Sequence, residues 1–277
     1  MGSDLETTRQ FACDRRIGWR PLVDGDEWTV LALDCELSAR PIAGFPDFAP
    51  LLPVGCSLWQ GVHPPVTADG SASAEAYLRW WSFDPPSPPP VTAVLGFCSG
   101  SVFAAALANR IADRQGTRPS LILLDPGRPD RMSLEHDFRR AVIALATLSE
   151  QEHGALTARV TSELDRWGGD FGGMVDSVVA AYEWASRVAF ERAGIDLSAG
   201  AELVSVFDSY TRYLRAAQSL ATRPEWSPAI TILSADRDPL ADITGTVIRT
   251  GVRRDDLLRS REIAGLFRDI LLGGVER

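Results

Sequence analysis

The segment Gly96-Phe97-Cys98-Ser99-Gly100 holds the residue best suited to chemistry in this chain. It follows an apolar run and opens a helical pattern, which is the form of a nucleophile elbow, G-x-S-x-G, with cysteine in the central place. Glycine at both flanks suits a strand-to-helix turn so tight that larger side chains would clash. Such a turn exposes Cys98 at the edge of a sheet as a nucleophile. The plainer reading is a packed core thiol, but the strand before it and the amphipathic helix after it favour the elbow. Asp125 closes the next apolar run, Leu121-Ile122-Leu123-Leu124-Asp125. That puts its carboxylate at the same sheet edge, where open α/β sheets bind their ligands. A turn-forming aspartate before Pro126-Gly127 is its alternative reading.

The elements that must position these residues are legible as short apolar runs. Residues 28–33, 54–59, 91–96, 120–124 and 229–233 are nearly continuously hydrophobic, as strands of a parallel sheet covered on both faces require. Helical patterns at 73–81, 101–114 and 260–272 alternate with them, which argues for an open α/β sheet. Between Asp125 and Pro228 the pattern turns helical throughout, over 133–150, 156–167, 174–193 and 203–221. The expected organisation is therefore a core of residues 1–127 and 228–277 with an inserted helical cap at 128–227. The glycines of Trp167-Gly168-Gly169-Asp170-Phe171-Gly172-Gly173 suit either a flexible break in the cap or a plain turn. The prolines from Pro85 to Pro90 read as a stiff connection.

Composition removes several classes of function. The 277 residues are 45% hydrophobic and 23% charged, a globular balance. The 37 acids outnumber the 28 bases, for a net charge of −9, so nucleic acid is an unsuitable partner. Every base is arginine, which excludes a Schiff-base lysine and a P-loop lysine together. Cys13, Cys35, Cys56 and Cys98 lack C-x-x-C spacing and His63, His136 and His153 are scattered, so neither a metal site nor a disulfide framework is expected. No apolar run approaches the ~18 residues of a membrane span. The opening residues, with Asp4, Glu6, Arg9, Asp14, Arg15 and Arg16, are too charged for a signal peptide, so a cytoplasmic protein away from membranes is expected.

The chain resembles the thioesterase family of α/β-hydrolases that serves nonribosomal peptide and polyketide synthesis. The resemblance rests on Val94-Leu95-Gly96-Phe97-Cys98-Ser99-Gly100-Ser101, on the strand ending at Asp125, and on Tyr213-Leu214-Arg215-Ala216-Ala217 leading to Ile230-Thr231-Ile232-Leu233-Ser234-Ala235-Asp236-Arg237-Asp238-Pro239. It implies a mostly parallel sheet with a helical lid, an acyl-enzyme on the elbow residue, no bound cofactor, and a substrate presented on the phosphopantetheine of an acyl or peptidyl carrier protein. It implies a triad acid at Asp125 or, behind the cap, at Asp236 or Asp238. Two departures stand out. The elbow carries cysteine for serine, as in family members that shuttle aminoacyl groups between carriers and in a few lactone-forming release domains. The histidine expected before the last helix is missing, for that turn reads Gly251-Val252-Arg253-Arg254.

A serine without histidine would be disabled, whereas a thiol is already a few per cent thiolate at neutral pH. A helix N-terminus favours that anion, and Arg253 or Arg254 would add to the effect. Releasing the acyl group to water requires a general base worth ~10²–10⁴-fold, while a second thiol arrives partly ionised. The chemistry therefore favours acyl transfer. Two alternatives are a hydrolytic editing or releasing thioesterase assisted by His63, and a degenerate member that binds an acyl chain or a partner without turnover. The oxyanion hole is expected from the Ser99 amide and the loop after Leu33, where Cys35 is a further candidate. Docking of an acidic carrier would use arginines such as Arg128 and Arg131, Arg139 and Arg140, or Arg253 and Arg254.

Overall fold

A computed structural model describes residues 18–34, 42–64, 73–82, 90–220, 226, 229–238 and 245–273, without the side chains of Leu197 and Ala199. Its strands are β1 (Trp19–Val23), β2 (Trp28–Leu33), β3 (Cys56–Gly61), β4 (Val91–Phe97), β5 (Ser120–Leu124), β6 (Ile230–Leu233) and β7 (Thr246–Arg249). Among the described residues they form one seven-stranded sheet in the order β1-β3-β2-β4-β5-β6-β7. Only β1 runs antiparallel to its neighbour; the other pairs are parallel.

The register explains how distant residues meet. Leu33 pairs with Gly96, Phe97 with Leu124, Leu124 with Ile232, and Leu233 with Arg249. The ends of β2, β4, β5, β6 and β7 are thus nearly level. The residues that follow them, Asp34, Cys98, Asp125, Ser234 and Thr250, emerge along one edge.

Alternate side chains on each strand point to opposite faces. One set, including Val30, Leu58, Leu95, Phe97, Ile122 and Ile232, packs with Phe45, Phe48, Leu257, Ile263 and Phe267 in one cluster. The other face carries the helix that follows the elbow, so both faces are covered and the strands read as unbroken apolar runs. The helices of this second face are α1 (Ala74–Trp80) and α2 (Gly100–Gln115), while the helix at Arg261–Leu271, which carries Ile263 and Phe267, covers the first. Ser73 caps α1 by accepting from Ala76 N–H at 3.1 Å, and α2 ends on Gly116 at φ 74°.

The chain divides into two compact units. The sheet unit comprises the described residues within Met1–Pro65, Ser73–Arg128 and Leu220–Arg277; the other contains Pro129–Ser219. The second unit contains α3 (Arg131–Ile143), α4 (Glu150–Arg166), α5 (Phe171–Ala193) and most of α6 (Leu197–Leu220). The continuous helix expected over 133–150 stops at Ile143 and restarts at Glu150. Ser149 caps the new helix, and the Glu152 carboxylate returns to the Ser149 N–H at 2.9 Å. Gly168 and Gly169 lie in the plain interhelical turn between α4 and α5, whereas the Gly172-Gly173 pair is helical. Both glycines lie in the first turn of α5, capped by Asp170, where a Cβ on Gly173 would come within 2.2 Å of the Trp167 ring.

Candidate active site

Cys98 adopts φ 53°, a left-handed conformation that costs a residue other than glycine ~1–3 kcal/mol. Three backbone bonds hold it there. Its N–H donates to the Leu124 carbonyl at 3.0 Å, and its carbonyl accepts from the Ser101 and Gly127 N–H groups, each at 3.1 Å. Both flanking glycines are required by close approach. A Cβ on Gly96 would stand 2.5 Å from Ser101 Cα, and one on Gly100 would stand 2.1 Å from the Leu33 carbonyl oxygen. Phe97 and Ser99 are buried, whereas Cys98 is partly exposed. Its side chain precedes the N-terminus of α2, where helix geometry leaves N–H groups without intrahelical acceptors. The Ser99 amide is one of these.

Asp125 is wholly buried and is the second residue with positive φ, at 43°. Its carboxylate accepts from Ser234 N–H at 2.8 Å, from Ser234 Oγ at 2.7 Å and from Arg254 Nη1 at 3.2 Å. Arg254 comes from the turn where the resemblance places a histidine, so a guanidinium occupies the acid. The same guanidinium lies 5.1 Å over the Phe97 ring, and the Arg254 N–H donates to Asp236 Oδ1 at 2.9 Å. That bond, first among several causes, holds the Asp236 carboxyl below its ordinary range. Asp236, Asp238 and Arg253 are all exposed. Of the acids proposed from sequence, Asp125 is the one built into the elbow's surroundings. Arg254 reaches it and is thereby committed to a carboxylate.

The arginine that stands beside Cys98 is Arg237, which the sequence reading did not single out. Its Nη2 donates to the Pro126 carbonyl at 3.2 Å. A Cβ built on Gly127 would lie 3.2 Å from that nitrogen and 3.6 Å from Cys98 Sγ. Guanidinium and thiol thus flank one glycine and cannot be farther apart than those two distances together. Arg237 is partly buried, and its Nε is a buried donor with no acceptor among the described residues. The only sequence signal was its place between two aspartates, which suggests a solvated turn.

His63 follows β3, where the Val62 carbonyl accepts from both the Trp80 and Trp81 indoles, at 2.9 and 2.8 Å. The imidazole packs edge-on against Tyr77 with centroids 6.0 Å apart and bonds the backbone of Asp34. Burial is the main influence and pushes its pKa down to about 4. His136 and His153 lie on α3 and α4 of the helical unit. Cys35 lies outside the described residues, as do most of the loop after Leu33 and the prolines from Pro85 to Pro89. Among the described residues, no group of three or more His, Cys, Asp or Glu is placed to hold a metal ion. No helix there is long and apolar enough to cross a membrane.

No protein-family model and no curated protein matches the sequence. Solved structures match by shape. Holo-AB3403, a four-domain nonribosomal peptide synthetase bound to AMP and glycine, superposes over 94% of this chain with TM-score 0.57 and 15% identity. The chain spans only 20% of that synthetase's length. The Vlm2 thioesterase domain, bound with a dodecadepsipeptide, matches over 92% of this chain and 98% of its own, with TM-score 0.50 and 17% identity. The NocB thioesterase domain, in covalent complex with a fluorophosphonate nocardicin G analog, matches over 92% of this chain and 100% of its own, with TM-score 0.50 and 18% identity. With its parallel sheet and strand–elbow–helix at Cys98, the chain has the α/β-hydrolase fold.

Proposed function

We propose that the protein is a thioesterase-like acyl or aminoacyl transferase of nonribosomal peptide or polyketide biosynthesis, working through a Cys98 acyl-enzyme. One observation carries the reading: a partly exposed cysteine sits in a strained elbow whose buried acid is paired with Arg254 instead of an imidazole. A guanidinium stays protonated at every working pH, so it cannot take a proton from water. Attack by the Cys98 thiolate forms a bond from sulfur to the acyl carbon and releases the carrier's sulfur with the electron pair. A second thiolate reverses the step, and neither half needs a proton to move. Water would need a base.

The shape neighbours support a thioester substrate, since they include thioesterase domains and a peptide synthetase. A carrier protein bearing phosphopantetheine is accordingly the partner we infer, with no cofactor of the enzyme's own. The hydrolytic alternative loses support from His63, because a ring whose pKa is driven down to about 4 is a weak base at neutral pH.

The test is intact-protein mass spectrometry after incubation with an acyl-loaded carrier. The expected result is one acyl adduct on the wild type and none on Cys98→Ala. No adduct on the wild type, or an equal adduct on Cys98→Ala, overturns the proposal and leaves a protein that binds without turnover.

A further inference from the structure

The strand order gives the elbow two sides. Toward β2 lie the Leu33 carbonyl and Asp34 backbone, packed against Gly100 at the head of α2. This is the side that meets a carbonyl oxygen in an acyl transfer at such an elbow. Toward β5, β6 and β7 lie Pro126, Gly127, Arg237 and the Asp125–Arg254 pair. This is the side left for the group that departs from the acyl carbon, where a triad would place its imidazole.

The charges on that second side are unequal. Asp125 and Arg254 compensate one another at 3.2 Å. Asp236 and Asp238 are exposed. Arg237 bonds a neutral carbonyl, has no ion pair among the described residues, and keeps a buried Nε without an acceptor. Arg237 is thus a partly buried cation with no carboxylate partner among the described residues, and it shares Gly127 with the Cys98 sulfur.

We infer that Arg237 is a catalytic residue that stabilises the thiolate leaving from, or arriving at, the Cys98 acyl group, and that it thereby restricts the acceptor to thiols. The inference rests on the acyl-enzyme reading above and names the acceptor class for that site. As the carbon–sulfur bond to the donor breaks, the electron pair collects on the departing sulfur, next to a cation already in place. A preorganised charge of this kind stabilises the transition state without reorganisation. The thiolate then exchanges with solvent, and an incoming thiolate occupies the same position in the return step. Water must lose a proton as it attacks and an amine once it has attacked, and Arg237 can accept neither proton. A guanidinium in place of an imidazole therefore acts as a filter on acceptor chemistry.

The test uses two thioesters of one acyl group, with pantetheine and with thiophenol as leaving groups, and follows acylation of Cys98 by quenched-flow mass spectrometry. An aryl thiolate carries its charge unaided; an alkyl thiolate does not. Arg237→Gln is expected to acylate ~10²-fold more slowly from the pantetheine ester but within about threefold of wild type from the thiophenol ester. Arg237→Lys is expected to recover part of the pantetheine rate. Normal thiophenol reactivity also shows that the variant is folded. Equal slowing with both esters, or no slowing with either, overturns the role of Arg237 and leaves the Cys98 acyl-enzyme standing. Absence of a wild-type adduct from both esters removes the acyl-enzyme reading and this inference with it.

Discussion

Cys56 and Cys98 belong to one parallel sheet and differ in almost everything else. Cys56 opens β3, at the strand's amino end, is 1% exposed, and burial pushes its thiol up to about 12. Cys98 follows β4, at the carboxyl end, partly exposed at φ 53°, with a helix N-terminus ahead of it and Arg237 across Gly127. Position along a strand separates a packed thiol from one placed at the candidate site. At the carboxyl ends the backbone must leave the sheet, and helix N-termini and loop side chains gather there. At the amino end of β3, the Cys56 thiol meets the apolar cluster of Val30, Leu58 and Phe48.

The largest expected difference between the two is chemical. Iodoacetamide under native conditions should modify Cys98 at least ~10³-fold faster than Cys56, read by peptide mass mapping. Comparable rates would remove the contrast. A second difference concerns the surroundings. Replacing Asp125 by Ala leaves Arg254 beside an empty, buried site and should cost about 3 kcal/mol in denaturant unfolding; a loss under ~0.5 kcal/mol would mean the pair contributes little. The smallest effect sharpens the comparison through its sign. Cys98→Gly relieves a left-handed conformation and should stabilise the fold by about 1 kcal/mol while abolishing acylation. The same change at Cys56, in an extended strand, should destabilise by about 2 kcal/mol. Destabilisation at both positions would show that the elbow stores no strain.

The sheet interior was legible because burial on both faces leaves a run of apolar residues. β2 and β5 occupy the spans the sequence suggested, and β4 extends one residue farther, to the elbow. The edge strands were not legible. β1 reads Trp-Arg-Pro-Leu-Val with two exposed residues, and β7 alternates half-buried and exposed positions and ends in Arg249. An edge strand lacks the continuous apolar signature. At the site, the G-x-C-x-G turn announced itself because both glycines belong to one five-residue pattern, although Gly96 answers to nearby Ser101 and Gly100 to distant Leu33. The pairing of Asp125 with Arg254 and the approach of Arg237 to Gly127 depend on strand register across β5, β6 and β7. No local pattern encodes those contacts, so the arginines near Cys98 were visible as residues but not as partners.

In the proposed mechanism, acyl groups leave Cys98 for a thiol and not for water. The direct measurement is to isolate the Cys98 acyl-enzyme, divide it, and follow its decay by intact mass in buffer alone and after adding pantetheine. The expected acyl-enzyme persists in buffer and discharges at least ~10²-fold faster with the thiol, giving acyl-pantetheine as product. Rapid decay to free acid in buffer, unchanged by pantetheine, would contradict this mechanism.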